Sequence, residues 1–303
     1  MVAAKPASRS PRLLVLGGSG MLGHRIWLHL QARYDTWVTL RRPKEAFREF
    51  GLFAEAKVIE GLAASDFASL EECISSVRPN VVINCIGIVK QIKEAADPIP
   101  SITINSLLPH QVARICERMG ARLIHFSTDC VFSGRRGRYK EDDTADAVDL
   151  YGRTKYLGEI RDRPSAITLR TSIVGKEIDS AHGLIEWFLR QEGKRVRGFK
   201  KAIFTGLTTN EMARVVEMLI EQQPAASGLW HVASEPISKF DLLTLVKQRL
   251  KLAVEMEEDC EFDCDRSLDG ERFNKTFGYR PPGWPNMIDE MALEMEKYRT
   301  RKR

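Results

Sequence analysis

An apolar run, RLLVL at 12–16, passes without a break into GGSGMLGH at 17–24. Gly17, Gly20 and Gly23 are spaced three apart, and Gly18 adds a fourth glycine. No other feature constrains the fold as much. A tight turn has to leave the strand, backbone has to approach an anion, and the next helix has to pack on the sheet; a Cβ obstructs each step. Free N–H groups at the helix start then face the anion. Glycine-rich turns are common alone, but between a strand and a helix they indicate a pyrophosphate loop.

Short β-rich runs alternate with helical stretches as far as residue 175. TWVTL (36–40), AKVIE (56–60), VVINCIG (81–87), ARLIHFS (121–127) and AITLRTS (166–172) read as strands. VVINCIG is apolar except for Asn84, the pattern of a strand buried on both faces. Residues 20–33, 67–77, 102–119 and 151–162 read as helices, the third closed by Gly120. The alternation predicts an α/β fold, a doubly wound parallel sheet. Beyond 175 helical stretches dominate, at 183–192, 209–222 and 238–250, with Thr209 or Asn210 as the N-cap of the second. Short extended pieces fall at 202–204 and 229–232, and a last helix starts near 286. The expected organisation is a disordered tail (1–11), a dinucleotide-binding domain (12–175), a smaller, mostly helical substrate-binding lobe intermixed with it (176–298), and a basic tail (299–303).

With 43% hydrophobic and 29% charged residues, the 303-residue chain holds a sizeable core, which excludes wholesale disorder. No run nears the ~20 apolar residues of a bilayer span. The first eleven residues lack an apolar core, so no secretory leader is expected and the chain is placed in the cytoplasm. The net charge of +5 comes from the ends: setting aside Lys5, Arg9, Arg299, Arg301, Lys302 and Arg303 leaves −1. A body this neutral offers no broad face for nucleic acid. Six scattered cysteines and six histidines lack ligand spacing, including the pair Cys260 and Cys264, so no metal is expected.

The second strand ends in Leu40, Arg41 and Arg42. A site for NADH wants a carboxylate there to accept the ribose 2′-hydroxyl, whereas guanidinium groups suit a 2′-phosphate. NADPH is therefore expected, with NADH the alternative. Tyr151 and Lys155, in DLYGRTKYLGE, lie four apart on one helix face. A phenol with a pKa near 10 is a slow proton relay, and a neighbouring ammonium lowers that pKa by stabilising the phenolate. Such a pair beside a nicotinamide delivers a proton to a carbonyl oxygen as hydride reaches carbon. Tyr156 next door reads as a packing residue. Thr128 ends the fifth strand, at the sheet edge where ligands bind, and offers a hydroxyl to the substrate oxygen; Ser127 alternates away from it.

The glycine loop, STDCVFSG at 127–134, YGRTK at 151–155, LRTSIVG at 169–175 and RSLDGERF at 266–273 occur in an order that resembles the extended short-chain dehydrogenases. Within these, the chain is similar over roughly 12–295 to the dTDP-4-dehydrorhamnose reductases and related sugar-nucleotide 4-ketoreductases. The resemblance implies a Rossmann-type fold and an NAD(P)-dependent oxidoreductase that reduces the 4-keto group of a nucleotide-linked deoxy sugar, in polysaccharide precursor biosynthesis. It implies catalytic roles for Thr128, Tyr151 and Lys155. Expected cofactor contacts are Gly17, Ser19, Gly20, Met21, Leu22, Gly23, Arg41, Arg42, Ile86, Gly87, Asn105, Ser127, Tyr151 and Lys155. Asn105 matches the helix asparagine that helps set the lysine. Expected substrate contacts are Thr128, Asp129, Lys90 in the loop after the fourth strand, Trp187, and Arg266 as a phosphate ligand. A homodimer is one assembly the resemblance allows.

The chain departs from the family in two places. Ala63 stands where an aspartate often lies near adenine, leaving only Asp66. Dehydratases follow the threonine with Asp-Glu; here Thr128-Asp129-Cys130 lacks the glutamate, which argues against elimination of water. The alternatives to a reductase are a cofactor-binding regulatory subunit without turnover and a sugar-nucleotide epimerase.

Overall fold

The apolar runs read as strands form the centre of a seven-stranded parallel sheet. The computed structural model describes residues 10–301. In its first part β1 (Arg12–Leu16), α1 (Met21–Leu30), β2 (Asp35–Thr39), β3 (Lys57–Ile59), α2 (Phe67–Val77) and β4 (Val81–Asn84) alternate. Then come α3 (Pro98–Ser101), α4 (Leu108–Met119), β5 (Arg122–Thr128), α5 (Leu150–Leu157), β6 (Ala166–Thr171) and β7 (Ile173–Val174). The second part holds α6 (Leu184–Leu189), β8 (Arg195–Phe204), β9 (Leu207–Thr208), α7 (Thr209–Glu221), β10 (Gly228–His231), β11 (Ile237–Ser238), α8 (Lys239–Leu250), β12 (Glu255–Asp265), α9 (Glu271–Phe277) and α10 (Trp284–Arg301). The main sheet runs β3-β2-β1-β4-β5-β6-β10, the doubly wound order with one further strand.

Strand β1 shows why helices cover both faces. Leu13 and Val15 join the core shared with α1, α7 and α10; Leu14 and Leu16 join the core under α2 and α4. All four are fully buried, at about 1.5–3 kcal/mol each. Gly120 closes α4 in the left-handed conformation, φ 65°, as its sequence position implies.

Several boundaries differ from expectation. The helix expected from 102 starts at Pro98 and passes through a π-helical turn at Ile102–Leu107 before α4. Helix α5 stops at Leu157, and α7 is capped by Thr208, whose hydroxyl accepts from the Glu211 N–H. The second part is less helical than its sequence reads: β8, β11 and β12 form a three-stranded sheet, in which only 202–204 had been marked as extended. The two parts interlock, because β10 pairs with β6 in the main sheet (Leu229 beside Thr168, His231 beside Arg170). Helix α10 continues to Arg301, into the expected basic tail. Residues 302–303 of that tail and 1–9 of the amino-terminal one lie outside the described residues. Among the described residues no helix is long and apolar enough to cross a membrane, and no His/Cys/Asp/Glu group could hold a metal ion.

Candidate active site

Three of the four loop glycines, Gly17, Gly18 and Gly23, leave no room for a side chain. Gly17 has φ 81°, in the left-handed region. A Cβ on Gly18 would lie 2.0 Å from Val38 Cγ2, and one on Gly23 would lie 2.1 Å from the Gly17 carbonyl oxygen. The end of β2 holds the loop: the Gly18 N–H donates to the Thr39 carbonyl (2.8 Å) and the Gly17 N–H to the Thr39 hydroxyl (3.1 Å). At the start of α1, Gly20 provides no side-chain cap, and the first turn contains no acid. The N–H groups there thus face outward without a competing acceptor, in a cradle that fits a pyrophosphate. Ser19, Met21 and Leu22 lie in this turn as expected.

Arg41 and Arg42 follow Thr39 at the lip of the loop. Their situations differ. Arg42 Nη1 lies 2.6 Å from Asp179 Oδ1, with the guanidinium 5.3 Å from the Phe47 ring centre. Arg41 is exposed and makes no side-chain hydrogen bond or ion pair among the described residues. Asp66 cannot stand in for the acid missing at Ala63: it caps α2, accepting from the Ser69 N–H (3.1 Å) and hydroxyl (2.6 Å).

The residues expected to form the reaction centre lie at the carboxyl end of β5 and the start of α5. Asp149 caps α5 by accepting from the Gly152 N–H at 2.8 Å, which fixes the turn that carries Tyr151. The Tyr151 phenol is buried beside Thr128, which pulls its pKa down against the effect of burial. The Thr128 hydroxyl donates to the Asp129 carboxylate (3.0 Å) and accepts from the Cys130 N–H (3.1 Å). Burial raises the Asp129 pKa, opposed by the Thr128 hydroxyl and Cys130 thiol beside it and by the charges of Arg266 and Lys239. Lys155 donates from Nζ to the Phe126 carbonyl at 2.7 Å. Burial lowers its pKa to about 8.

Here one expectation fails. Lys155 does not make the phenol acidic in this structure; burial holds the Tyr151 pKa above its ordinary range, with the Cys130 thiol adding to it and Thr128 opposing it. Desolvation is the largest influence on the phenol, and the Lys155 ammonium is directed at a backbone carbonyl.

Asn105 sits in the π-helical turn and clamps the loop after β4. Its Oδ1 accepts from the Ile88 N–H (2.9 Å), and its Nδ2 donates to the Ile88 carbonyl (3.1 Å). Asn84 reinforces this by accepting from the Ile86 N–H at 3.1 Å. Gly87 passes so near that a Cβ there would lie 3.9 Å from Lys155 Nζ. Ile86, Gly87, Asn105 and Lys155 are thus gathered in one place. Ser127 is not: its hydroxyl donates to the buried Glu159 carboxylate (2.8 Å), on the far side of the strand from Thr128, so the expected cofactor contact is replaced by a structural one.

Of the expected substrate residues, Lys90 pairs with Asp149 (2.7 Å) and lines a cleft of about 260 Å³ together with Ile92, Ala95, Leu150 and Tyr151. Arg266 donates to the Phe132 carbonyl at 2.9 Å and faces Asp129. Its segment continues into a second hollow of about 520 Å³, lined in part by Arg138, Ser234, Asp269 and Asn274. Trp187 is 40% exposed on α6. Tyr156, expected to pack, is 38% exposed, with Arg161 over its ring.

Sequence reasoning missed Asp149, Lys239 and the buried cluster behind β5. Asp149 was available as a capping residue directly before a helix. Lys239, at the head of α8, belongs to no motif. In the cluster, Glu159 receives Arg170 in two hydrogen bonds (2.6 and 2.9 Å), and Arg170 reaches His231 (3.2 Å).

Three buried histidines set an acid limit. Burial lowers the pKa of His24 to about 4 and of His231 to about 3, and that of His125 well below its ordinary value. Each stays neutral when folded, and the unfolded chain binds the extra protons below pH 6.5. Stability is therefore complete above pH 6.5 and falls as pH drops towards those values, by about 2 kcal/mol per histidine at pH 5. Urea midpoints at pH 7 and 5 check this; equal midpoints contradict it.

The RmlD substrate binding domain family matches residues 11–297. The chain belongs to that family. A dTDP-4-dehydrorhamnose reductase from Streptomyces griseus is 32% identical over 49% of this chain and 44% of its own length. Methionine adenosyltransferase 2 subunit beta from Mus musculus is 21% identical over 93% of this chain and 90% of its own. A dTDP-4-dehydrorhamnose reductase from Bacillus anthracis, solved in complex with NADP, superimposes with a TM-score of 0.76 at 19% identity, covering 94% of this chain and 99% of that one. The doubly wound fold expected from sequence is also the fold of that structure.

Proposed function

We propose that the protein is an NADPH-dependent reductase of the 4-keto group of a nucleotide-linked deoxy sugar. The observation that carries this reading is the Tyr151–Thr128 pair at the carboxyl end of β5, with Lys155 behind it and the glycine cradle alongside. The Bacillus anthracis relative was solved with NADP, and the residues here suit the same group: the α1 N-terminus for the pyrophosphate, and Arg41 for a 2′-phosphate. When bound, the nicotinamide supplies hydride.

The remaining work falls to the chain. Thr128 orients the carbonyl oxygen beside Tyr151. The raised pKa keeps the phenol protonated, so the acid is loaded before reaction. An alkoxide is a far stronger base than a phenolate and takes that proton as it forms. Lys155, anchored on the Phe126 carbonyl, holds its charge beside Gly87 at the same end of the crevice. Lys90 and Arg266 are the cations for the substrate's diphosphate.

Purified protein should oxidise NADPH, read as loss of nicotinamide absorbance, only when a nucleotide-linked 4-keto sugar is added, with one hydroxy sugar formed per NADPH. Absence of turnover across such substrates overturns the reading. The near full-length similarity to Methionine adenosyltransferase 2 subunit beta supports one alternative, a regulatory subunit. A co-purifying enzyme combined with no turnover would establish that alternative instead.

A further inference from the structure

The second part of the chain sends a carboxylate to the cofactor's ribose end. Residues 175–183 connect β7 to α6, and their turn is braced from within. Glu177 accepts from the Ser180 hydroxyl (2.9 Å) and the Gly183 N–H (2.8 Å). On this braced turn Asp179 reaches Arg42 at 2.6 Å. The Asp179 side chain is 16% exposed and that of Arg42 is 49% exposed, so the acid is the more fixed partner. The Phe47 ring holds the guanidinium from another side.

Arg42 stands three residues beyond Thr39, which anchors the glycine loop. A 2′-phosphate arriving there meets an arginine whose charge is already matched. It also meets a carboxylate, which repels phosphate and accepts a hydroxyl. The end of β2 carries no acid, yet one is delivered from elsewhere in the chain.

We propose that Asp179 sets the cofactor preference by competing with the 2′-phosphate for Arg42 and by serving as hydroxyl acceptor for an unphosphorylated ribose. The protein then accepts NADH as well as NADPH. The proposal rests on the reading of the crevice as a dinucleotide site.

The test is binding, not turnover. NADPH and NADH are each titrated calorimetrically into full-length wild type, Asp179→Asn, Arg42→Ala and the double variant, with thermal midpoints recorded for all four. Asp179→Asn should tighten NADPH about tenfold and leave NADH unchanged or weaker, about 1.4 kcal/mol of altered preference. In the Arg42→Ala background the same change should give no gain for NADPH. An unaltered NADPH-to-NADH ratio in a folded Asp179→Asn protein overturns the proposal, as does a gain that persists without Arg42. Failure of wild type to bind either dinucleotide overturns the dinucleotide reading itself.

Discussion

Replacing Tyr151 by phenylalanine should lower kcat for keto-sugar reduction by 10²–10⁴-fold, the usual contribution of a positioned general acid. The substitution removes only the phenol oxygen beside Thr128. Asp149 still caps α5, and Lys155 still holds the Phe126 carbonyl. The NADPH dissociation constant should therefore stay within about twofold, because no part of the glycine cradle is touched. Steady-state kinetics beside a binding titration separate the two effects. Undiminished turnover would remove Tyr151 from the chemistry; equal loss of binding and turnover would make it a structural residue.

The second large effect is on stability. Arg170 is fully buried, bonded twice to Glu159, and lies under the Phe132 ring at 5.0 Å. Arg170→Ala leaves buried Glu159 with the Ser127 hydroxyl and the partly exposed Arg161, and should cost about 3–5 kcal/mol. Replacing both partners by apolar residues, as Arg170→Met with Glu159→Leu, should recover most of that loss, because the penalty comes from the uncompensated charge. Denaturant titration of the two singles and the double variant reads the coupling. A single variant as stable as wild type would show that the pair carries little.

What was legible in the sequence follows from what leaves a local trace. The glycine loop is readable because a close backbone approach demands glycine wherever it occurs. Strands β1 and β4 are readable because burial on both faces leaves them apolar except for Arg12 and Asn84 at their ends. Tyr151, Lys155 and Thr128 were found from helix spacing and strand ends. Strand β12 was not, since EMEEDCEFDCD carries charge on its solvent side and has low intrinsic strand preference. Its partner supplies the reason it forms: Arg195 faces Glu255 and Arg197 meets Asp259 across the ribbon. Pairs of this kind join residues far apart in the chain, as do Arg42 with Asp179 and Ser127 with Glu159. Periodicity reports which face a residue occupies, and the partner depends on topology. The direction of the Tyr151 pKa was misjudged for a related reason: helix spacing gives the separation of two side chains but not how much water the fold removes.

The placement of β10 beside β6 bears on how the protein is made. As the chain leaves the ribosome, β1 to β6 can pair one after another, yet β6 keeps an open hydrogen-bonding edge until His231 has emerged. Through that interval the nascent sheet offers a ready template for a stray strand. That seventh strand arrives only after α7 has been synthesised, so the exposure to aggregation lasts from the completion of β6 until β10 emerges.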